Sequence, residues 1–416
     1  MSTLAVLGCM WGDEAKAKVV DYLGGLADYV VRFQGGSNAG HTIHHAGQKY
    51  VFHSVPSGIL YPNSKCVIAA GVVIDPVSLL NEMDALTKLG IQFEGRLFID
   101  ERAGLVLSLH QELDSSAEAG LGANKIGTTQ RGIGPAYADH TARVGLRMAD
   151  LLYPDWLSSR LEALYKHHKR ELDPALVQKL LQIKTRLEPF ICKADNLLQE
   201  AYLEDKYILF EGAQGSLLDV SFGTYPYVTS SNTISGGICT GCGIPPRMIN
   251  KILGVYKAYS TRVGEGPFPT ELFDATGDRI RIQGNEFGST TGRPRRIGWF
   301  DAFAAAYTAR INGLDSIAVT LLDVLSGLPE LKICTGYWIG ERKLTAFPSH
   351  PMELQAVVPE YLSLPGWDAD LSDCRKLNKL PKAARDYLEV IQDLVERPLE
   401  LVSVGPDRSQ TIAIKS

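Results

Sequence analysis

Four stretches of the chain gather residue types that handle anions and protons. The first, Gly8-Cys9-Met10-Trp11-Gly12-Asp13-Glu14-Ala15-Lys16-Ala17-Lys18, follows an apolar run and precedes a helical one. A phosphate there would meet unpaired amides and the positive end of a helix dipole, with Lys16 or Lys18 adding a point charge. The GxxxxGK[ST] loop is absent, and the segment alone reads equally well as an ordinary strand–turn–helix. The second, Gln34-Gly35-Gly36-Ser37-Asn38-Ala39-Gly40-His41-Thr42, sets a histidine between a glycine and a hydroxyl, suited to a phosphate contact; a lone loop histidine is more often solvated. In the third, Ser289-Thr290-Thr291-Gly292-Arg293-Pro294-Arg295-Arg296, hydroxyls and three arginines suit a carboxylate or phosphate clamp. The neighbouring Gly298-Trp299-Phe300 weighs against a mere basic surface turn. In the fourth, Thr320-Leu321-Leu322-Asp323, a carboxylate ends an apolar strand, placed to accept the N1 and N2 hydrogens of guanine or to cap a helix.

These residues need a scaffold that brings loops together. Short apolar runs at 3–9, 29–34, 66–70, 207–210, 253–259 and 316–322 read as buried strands. Helical stretches between several of them predict a mostly parallel sheet covered on both faces. Segment 156–188, with Leu157, Leu161, Leu164 and Leu172 near helical spacing, predicts helices packed on that sheet. From about 330 the chain mixes short strands with a helix near 381–396. Without repeats or a low-complexity linker, 1–416 reads as one elaborated domain. Glycine-rich loops recur at 34–42, 126–135, 211–215, 235–243, 261–267 and 289–296, where backbone amides can approach an anion closely. Together they predict a large polar ligand ringed by loops at strand ends.

Composition narrows the class. With 45% hydrophobic and 21% charged residues in 416, the balance is globular. A formal net charge of -5 gives no basic field for nucleic acid, so anions must be held locally. No run is long enough for a membrane span and no basic n-region opens the chain, so a cytoplasmic protein is expected. Seven scattered cysteines suit reduced thiols. The lone Cys239-x-x-Cys242 lacks a second pair to complete a zinc site and reads as two small residues in a glycine-rich loop.

The stretches GCMWGDEAKAKVVD, RFQGGSNAGHT, HSVPSGIL, GVVIDP, IGTTQRGIGPAYADHTARVGLR, LFEGAQGSLLDVSFGTYPYVTSSN, GVYKAYSTRVGEGPFPTEL, STTGRPRRIGWFDA and VSVGPDR run in order from residue 8 to about 408. As an ordered set they resemble the adenylosuccinate synthetases. The resemblance implies an α/β fold similar to the P-loop NTPases, with a large, mostly parallel sheet, helices on both faces, and helical and small β elaborations. It implies a ligase that joins L-aspartate to inosine monophosphate (IMP) using GTP, through a 6-phosphoryl intermediate. Asp13 would be the base, and with the Gly40 carbonyl a Mg²⁺ ligand. His41 would be the acid, and Lys16 and Gln214 would join the catalytic set. IMP would meet Asp13, Glu14, Ala15, Lys16, Asn38, Ala39, Gly40, His41, Thr129, Gln214, Thr229 and Arg293, with Arg143 reaching in from the other subunit of a homodimer. Aspartate would meet Ser289, Thr290, Thr291, Gly292, Arg293 and Arg295. GTP would meet Gly12 to Lys18, Gly40, His41, Thr42, Arg295, Leu321, Leu322, Asp323, Ser403, Val404 and Gly405.

The sequence departs from the family's usual pattern at four places. Ala15 and Ala17 replace glycines, which is tolerable at negative φ and stiffens the loop. Met10 replaces a glutamine. Leu321 replaces the lysine of a TKLD run, keeping apolar contact with the base but dropping a charge. Two alternatives follow: a related ligase using ATP or accepting deoxyguanylate, as some viral enzymes do, and a non-catalytic nucleotide binder. Asp13 argues against the first as regards the acceptor, while Leu321 leaves the triphosphate open. Asp13, His41 and the Thr-Arg clamp argue against the second.

Overall fold

Side chains alternate between the faces of a strand, so a strand covered on both faces reads as an unbroken apolar run. TLAVLG is such a run, and every residue of Thr3–Gly8 is buried. Leu4 and Val6 face one core, Ala5 and Leu7 the other. The computed structural model describes residues 2–38, 40–45, 48–122, 125–288 and 292–414, with the backbone alone at 41–42, 44–45 and 48–49.

Among the described residues ten strands build the main sheet: β1 (Thr3–Gly8), β2 (Tyr29–Arg32), β3 (Lys65–Ile68), β4 (Leu97–Asp100), β5 (Ile191–Cys192), β6 (Ile208–Glu211), β7 (Lys251–Lys257), β8 (Ser316–Thr320), β9 (Leu399–Ser403) and β10 (Thr411–Ala413). Their order is β10-β9-β8-β7-β1-β6-β2-β3-β4-β5. Only the β9–β10 pairing is antiparallel. All six strands expected from sequence lie in this sheet. β4, β5 and β9 pair with it as well, although β4 carries the acid Asp100 and β5 is only two residues long.

One face packs on helices Lys16–Gly24 and Pro76–Lys88 through Val19, Val20, Leu79 and Met83. Helices Pro154–His167 and Pro174–Leu187 join the same core through Leu157, Leu161, Leu164, Leu180, Ile183 and Leu187, as their leucine spacing predicts. Helix Ala194–Leu203 covers part of the opposite face. Helices Ala302–Asn312 and Lys382–Val395 cover the rest of it behind β7, β8 and β9. Beyond residue 330 the chain does mix short strands (Arg342–Lys343, β9 and β10) with the helix Lys382–Val395, and adds one longer pair, Glu330–Ile339 against Val358–Pro365, in a second small sheet. The main sheet reverses its winding at β1, and the crevice outside the carboxyl ends of the strands at such a point is where open parallel sheets bind ligands.

Candidate active site in the sheet crevice

Six neighbouring strands, β9-β8-β7-β1-β6-β2, deliver the candidate residues to one edge of the sheet. Asn38 follows β2 and Gln214 follows β6; Asp13 and Lys16 follow β1. Lys257 ends β7, Asp323 follows β8 and Ser403 ends β9. At about 4.8 Å per strand this row spans roughly 24 Å, room for two nucleotides end to end with Asp13 between them.

The turn after β1 is left-handed at Gly12 (φ 83°), Asp13 (φ 59°) and Ala15 (φ 57°). Ala15 therefore lies outside the negative-φ region where alanine is at ease; holding it there costs about 1 kcal/mol. Ala17 lies in the following helix, buried in the core. That helix has no side-chain cap, which leaves its first amides to an acceptor from outside the helix. Glu14 is buried and takes the amides of Met10 (3.0 Å) and Gly12 (2.9 Å) on Oε1 and the Lys16 ammonium (2.7 Å) on Oε2. A phosphate using those donors must displace the Glu14 carboxylate. Gly8 has to be glycine here: a Cβ would sit 2.5 Å from the Gln214 carbonyl oxygen and would also press on the ends of Glu14 and Lys16.

Lys18 does not turn toward the phosphate loop as expected. Its ammonium donates to Ser403 Oγ (2.6 Å), the Gly405 carbonyl and the Gln410 carbonyl (3.1 Å), and burial pulls it down to about 8. It ties the helix after β1 to the loop after β9. Beside that loop lies a cavity of about 440 Å³ lined by Asp323, Arg279, Gln283, Asp370, Gly405 and others. Asp323 Oδ1 is buried there with no hydrogen-bond partner among the described residues, and burial raises its carboxyl. Leu322 is wholly buried and presents no side-chain surface to a ligand; Leu321 (φ 55°) packs partly on the core. Neither leucine lines the cavity.

Asp13 is the hinge between the two halves. Its Oδ2 accepts from Arg295 Nε at 2.8 Å, and Arg295 Nη1 donates to Glu286 at 2.7 Å. Glu286 is buried and also accepts from Lys257 (2.7 Å) and Tyr259 (2.5 Å). Burial pushes the Asp13 carboxyl up, but Arg295, Lys257 and Lys16 outweigh it and hold it below the usual carboxylate range. Glu286, Lys257 and Tyr259 escaped the sequence reading. They sit in no glycine loop, and Glu286 is folded back on Arg295 by the bridge between Phe287 and Pro294 together with the Arg295 amide on the Glu286 carbonyl (2.9 Å).

On the other side, Gln214 (φ 57°) donates to Asn38 Oδ1 at 3.1 Å, and its own Oε1 is buried without a hydrogen-bond partner among the described residues. Thr229 is half-buried; Thr129, Gly292 and Arg293 are exposed. Arg143 closes helix Ile133–Ala142 at φ 65° with its side chain exposed, and no ion pair joins it to the other candidates among the described residues. Gly40 is described; Ala39, Ser289, Thr290 and Thr291 lie outside the described residues, as do the side chains of His41 and Thr42. Cys239 and Cys242, both free, lie in the short helix Gly236–Cys242.

The profile of the family described as adenylosuccinate synthetase matches residues 5–412. The chain belongs to the adenylosuccinate synthetase family. Adenylosuccinate synthetases of Pelotomaculum thermopropionicum and Heliobacterium modesticaldum are 50% and 49% identical to it, over 99% and 100% of this chain and 99% of each relative. The solved structure of the fully ligated adenylosuccinate synthetase of Plasmodium falciparum superposes with a TM-score of 0.95 at 36% identity, each chain covered in full. The cyanophage S-2L succinoaminodeoxyadenylate synthetase, bound to dGMP and dATP, shares the fold at a TM-score of 0.65 and 21% identity, over 100% of this chain and 96% of that one. The chain is thus a member of a ligase family of purine biosynthesis, and the parallel α/β architecture is the family's.

Two predictions follow from the turn and the charge ladder. Ala15→Gly relieves the left-handed alanine, so it leaves unfolding free energy unchanged or raised by up to about 1 kcal/mol, where an ordinary helix site would lose about that much. Denaturant titration reads the sign. Glu286→Gln leaves the buried Lys257 without an ion-pair partner and Arg295 with Asp13 alone, and lowers unfolding free energy by about 3–5 kcal/mol. A loss below about 1 kcal/mol in the same titration would mean that Glu286 does not hold the ladder.

Proposed function

We propose that the protein joins L-aspartate to IMP at the expense of GTP, giving adenylosuccinate, GDP and phosphate. The observation that carries this reading is the ionised Asp13 carboxylate in the middle of the crevice, fixed by Arg295. Asp13 takes the N1 proton of IMP, so that O6 gains the electrons to attack the γ-phosphorus and the bond to the GDP oxygen breaks. The amine of aspartate then attacks C6, the C6–O6 bond breaks, and phosphate leaves with its oxygen. His41 would act as the acid and Lys16 would stabilise charge on the moving phosphoryl group. Gln214 and Asn38 would bind the purine of IMP, with Gln214 Oε1 free to accept a donor, and Thr129, Thr229 and Arg293 would complete that site. The 289–295 segment would clamp the aspartate carboxylates through Arg295 and its hydroxyls.

Asp13 fits a magnesium ion as well as a proton. A hard cation prefers oxygen, and Asp13 with the Gly40 carbonyl supplies an ionised carboxylate and a backbone oxygen. Bound there, Mg²⁺ would neutralise charge on the triphosphate. At the far end, Asp323 Oδ1 supports guanine as the base, because a buried, unpartnered acceptor suits N1–H and N2–H₂, whereas adenine offers a bare N1. The Ser403–Gly405 loop, held by Lys18, would flank it. We further propose a cytoplasmic homodimer in which the exposed Arg143 reaches the partner's IMP site.

Three outcomes test this reading. Asp13→Asn cuts turnover more than tenfold while IMP binding stays within about tenfold, on the order of 1.4 kcal/mol; turnover above a tenth of wild type would remove Asp13 as the base. GTP exceeds ATP in catalytic efficiency by at least about tenfold, and Leu321→Lys tightens GTP without changing the preferred base. Adenylosuccinate absorbance, followed with each triphosphate, measures both, and equal use of ATP and GTP would favour the ATP-using alternative. Arg143→Leu raises the Michaelis constant for IMP, and mixing it with the Asp13→Asn chain restores activity in hybrid sites; no recovery in heterodimers shown to form would place Arg143 in its own subunit's site.

A further inference from the structure

A second polar cluster uses none of the residues assigned above. Asp139, on helix Ile133–Ala142, is buried, and three histidines surround it on neighbouring elements. His110, wholly buried on helix Ser108–Gly120, accepts the Leu107 amide on Nδ1 at 2.9 Å. Its Nε2 therefore carries the hydrogen and donates to Asp139 Oδ2 at 3.1 Å. His168 Nε2 lies 3.0 Å from Oδ1 and 2.8 Å from Oδ2 of the same carboxylate. His167, the last residue of helix Pro154–His167, sets its ring edge to face against His168 at 4.9 Å. One ligand atom each from Asp139, His167 and His168 lies within 4.8 Å of the others.

We propose that Asp139, His167 and His168 form a binding site for a transition-metal cation of the zinc class, with a fourth position open to water. The donor set decides the class: two imidazoles and one carboxylate suit zinc, cobalt or nickel, and do not suit magnesium, which takes oxygen. Three protein ligands with an open position are common for zinc. His110 does what the outer partner of a metal ligand does, fixing the carboxylate from its far side. The burial gradient fits an entry path, with Asp139 buried, His168 half-buried and His167 exposed. On binding, the cation takes the place of the His168 Nε2 proton, which passes to Nδ1 or to water. The site would staple the turn that presents Arg143. The Asp139 carbonyl accepts the Val144 and Gly145 amides at 3.0 Å, and Arg160, from the helix that ends in His167, donates to the Arg143 and Gly145 carbonyls.

Cobalt(II), then zinc(II), titrated into the full chain with excess Mg²⁺ to fill oxygen sites, tests this. Wild type should take up one equivalent of cobalt with the visible absorption of a four-coordinate ion, lose that band to zinc, and melt at higher temperature with zinc. His167→Ala and His168→Gln should each weaken uptake at least about tenfold and abolish the zinc-dependent rise in melting temperature. Glutamine at 168 keeps an N–H donor for Asp139, so that variant tests ligation with the hydrogen bond retained. Cys239→Ser should bind as wild type does. No cobalt band in wild type, or an equal band and affinity in both histidine variants, would overturn the proposal.

Discussion

Parallel pairing of six adjacent strands is the constraint on which the rest of the site depends. Parallel strands all end at the same edge, so β9, β8, β7, β1, β6 and β2 deliver their loops side by side. Nothing in the local sequence of 38, 214 or 323 brings those residues together; the order of strands does. That order also fixes a polarity. Residues suited to a purine monophosphate lie toward β2 and β6, the cavity with Asp323 lies toward β8 and β9, and β1 ends between them with Asp13.

Within that frame the charges are interlocked. Asp13 is held by Arg295, Arg295 by Glu286, and Glu286 by Lys257 and Tyr259. A buried ladder of this kind is not a source of large net stability, since desolvation offsets much of its attraction. What it provides is a fixed position and an ionised state for Asp13. The loop before it is also internally satisfied, with the Glu14 carboxylate on donors that a phosphate would use. A phosphate taking those donors would therefore exchange one anion for another.

Much of this was legible in the sequence because buried parallel strands leave a loud signal. The six apolar runs, the leucine spacing of 157, 161 and 164, and the glycine loops mark the sheet, its helices and its active edge. Most of the candidate site residues that the sequence offers sit in those loops. Less legible were residues whose position depends on tertiary closure. Glu286 has no motif, and backbone pairing of 286–288 with 293–295 brings it to Arg295. Lys18 looked like a phosphate ligand from spacing alone, yet its side chain crosses to Ser403, which is 385 residues away in sequence. The sign of φ at Ala15, on which its tolerance depends, cannot be read from local sequence, and the turn after β1 makes it positive.

The central claim is that Asp13, placed between two nucleotides, makes O6 of IMP the nucleophile toward the γ-phosphorus. Positional isotope exchange tests it most directly. GTP labelled with ¹⁸O at the β–γ bridge is incubated with the protein, Mg²⁺ and IMP, with aspartate left out. The label should scramble into the non-bridging β positions with IMP present, and scrambling should stop in Asp13→Asn. Scrambling that continues unchanged in Asp13→Asn would contradict it.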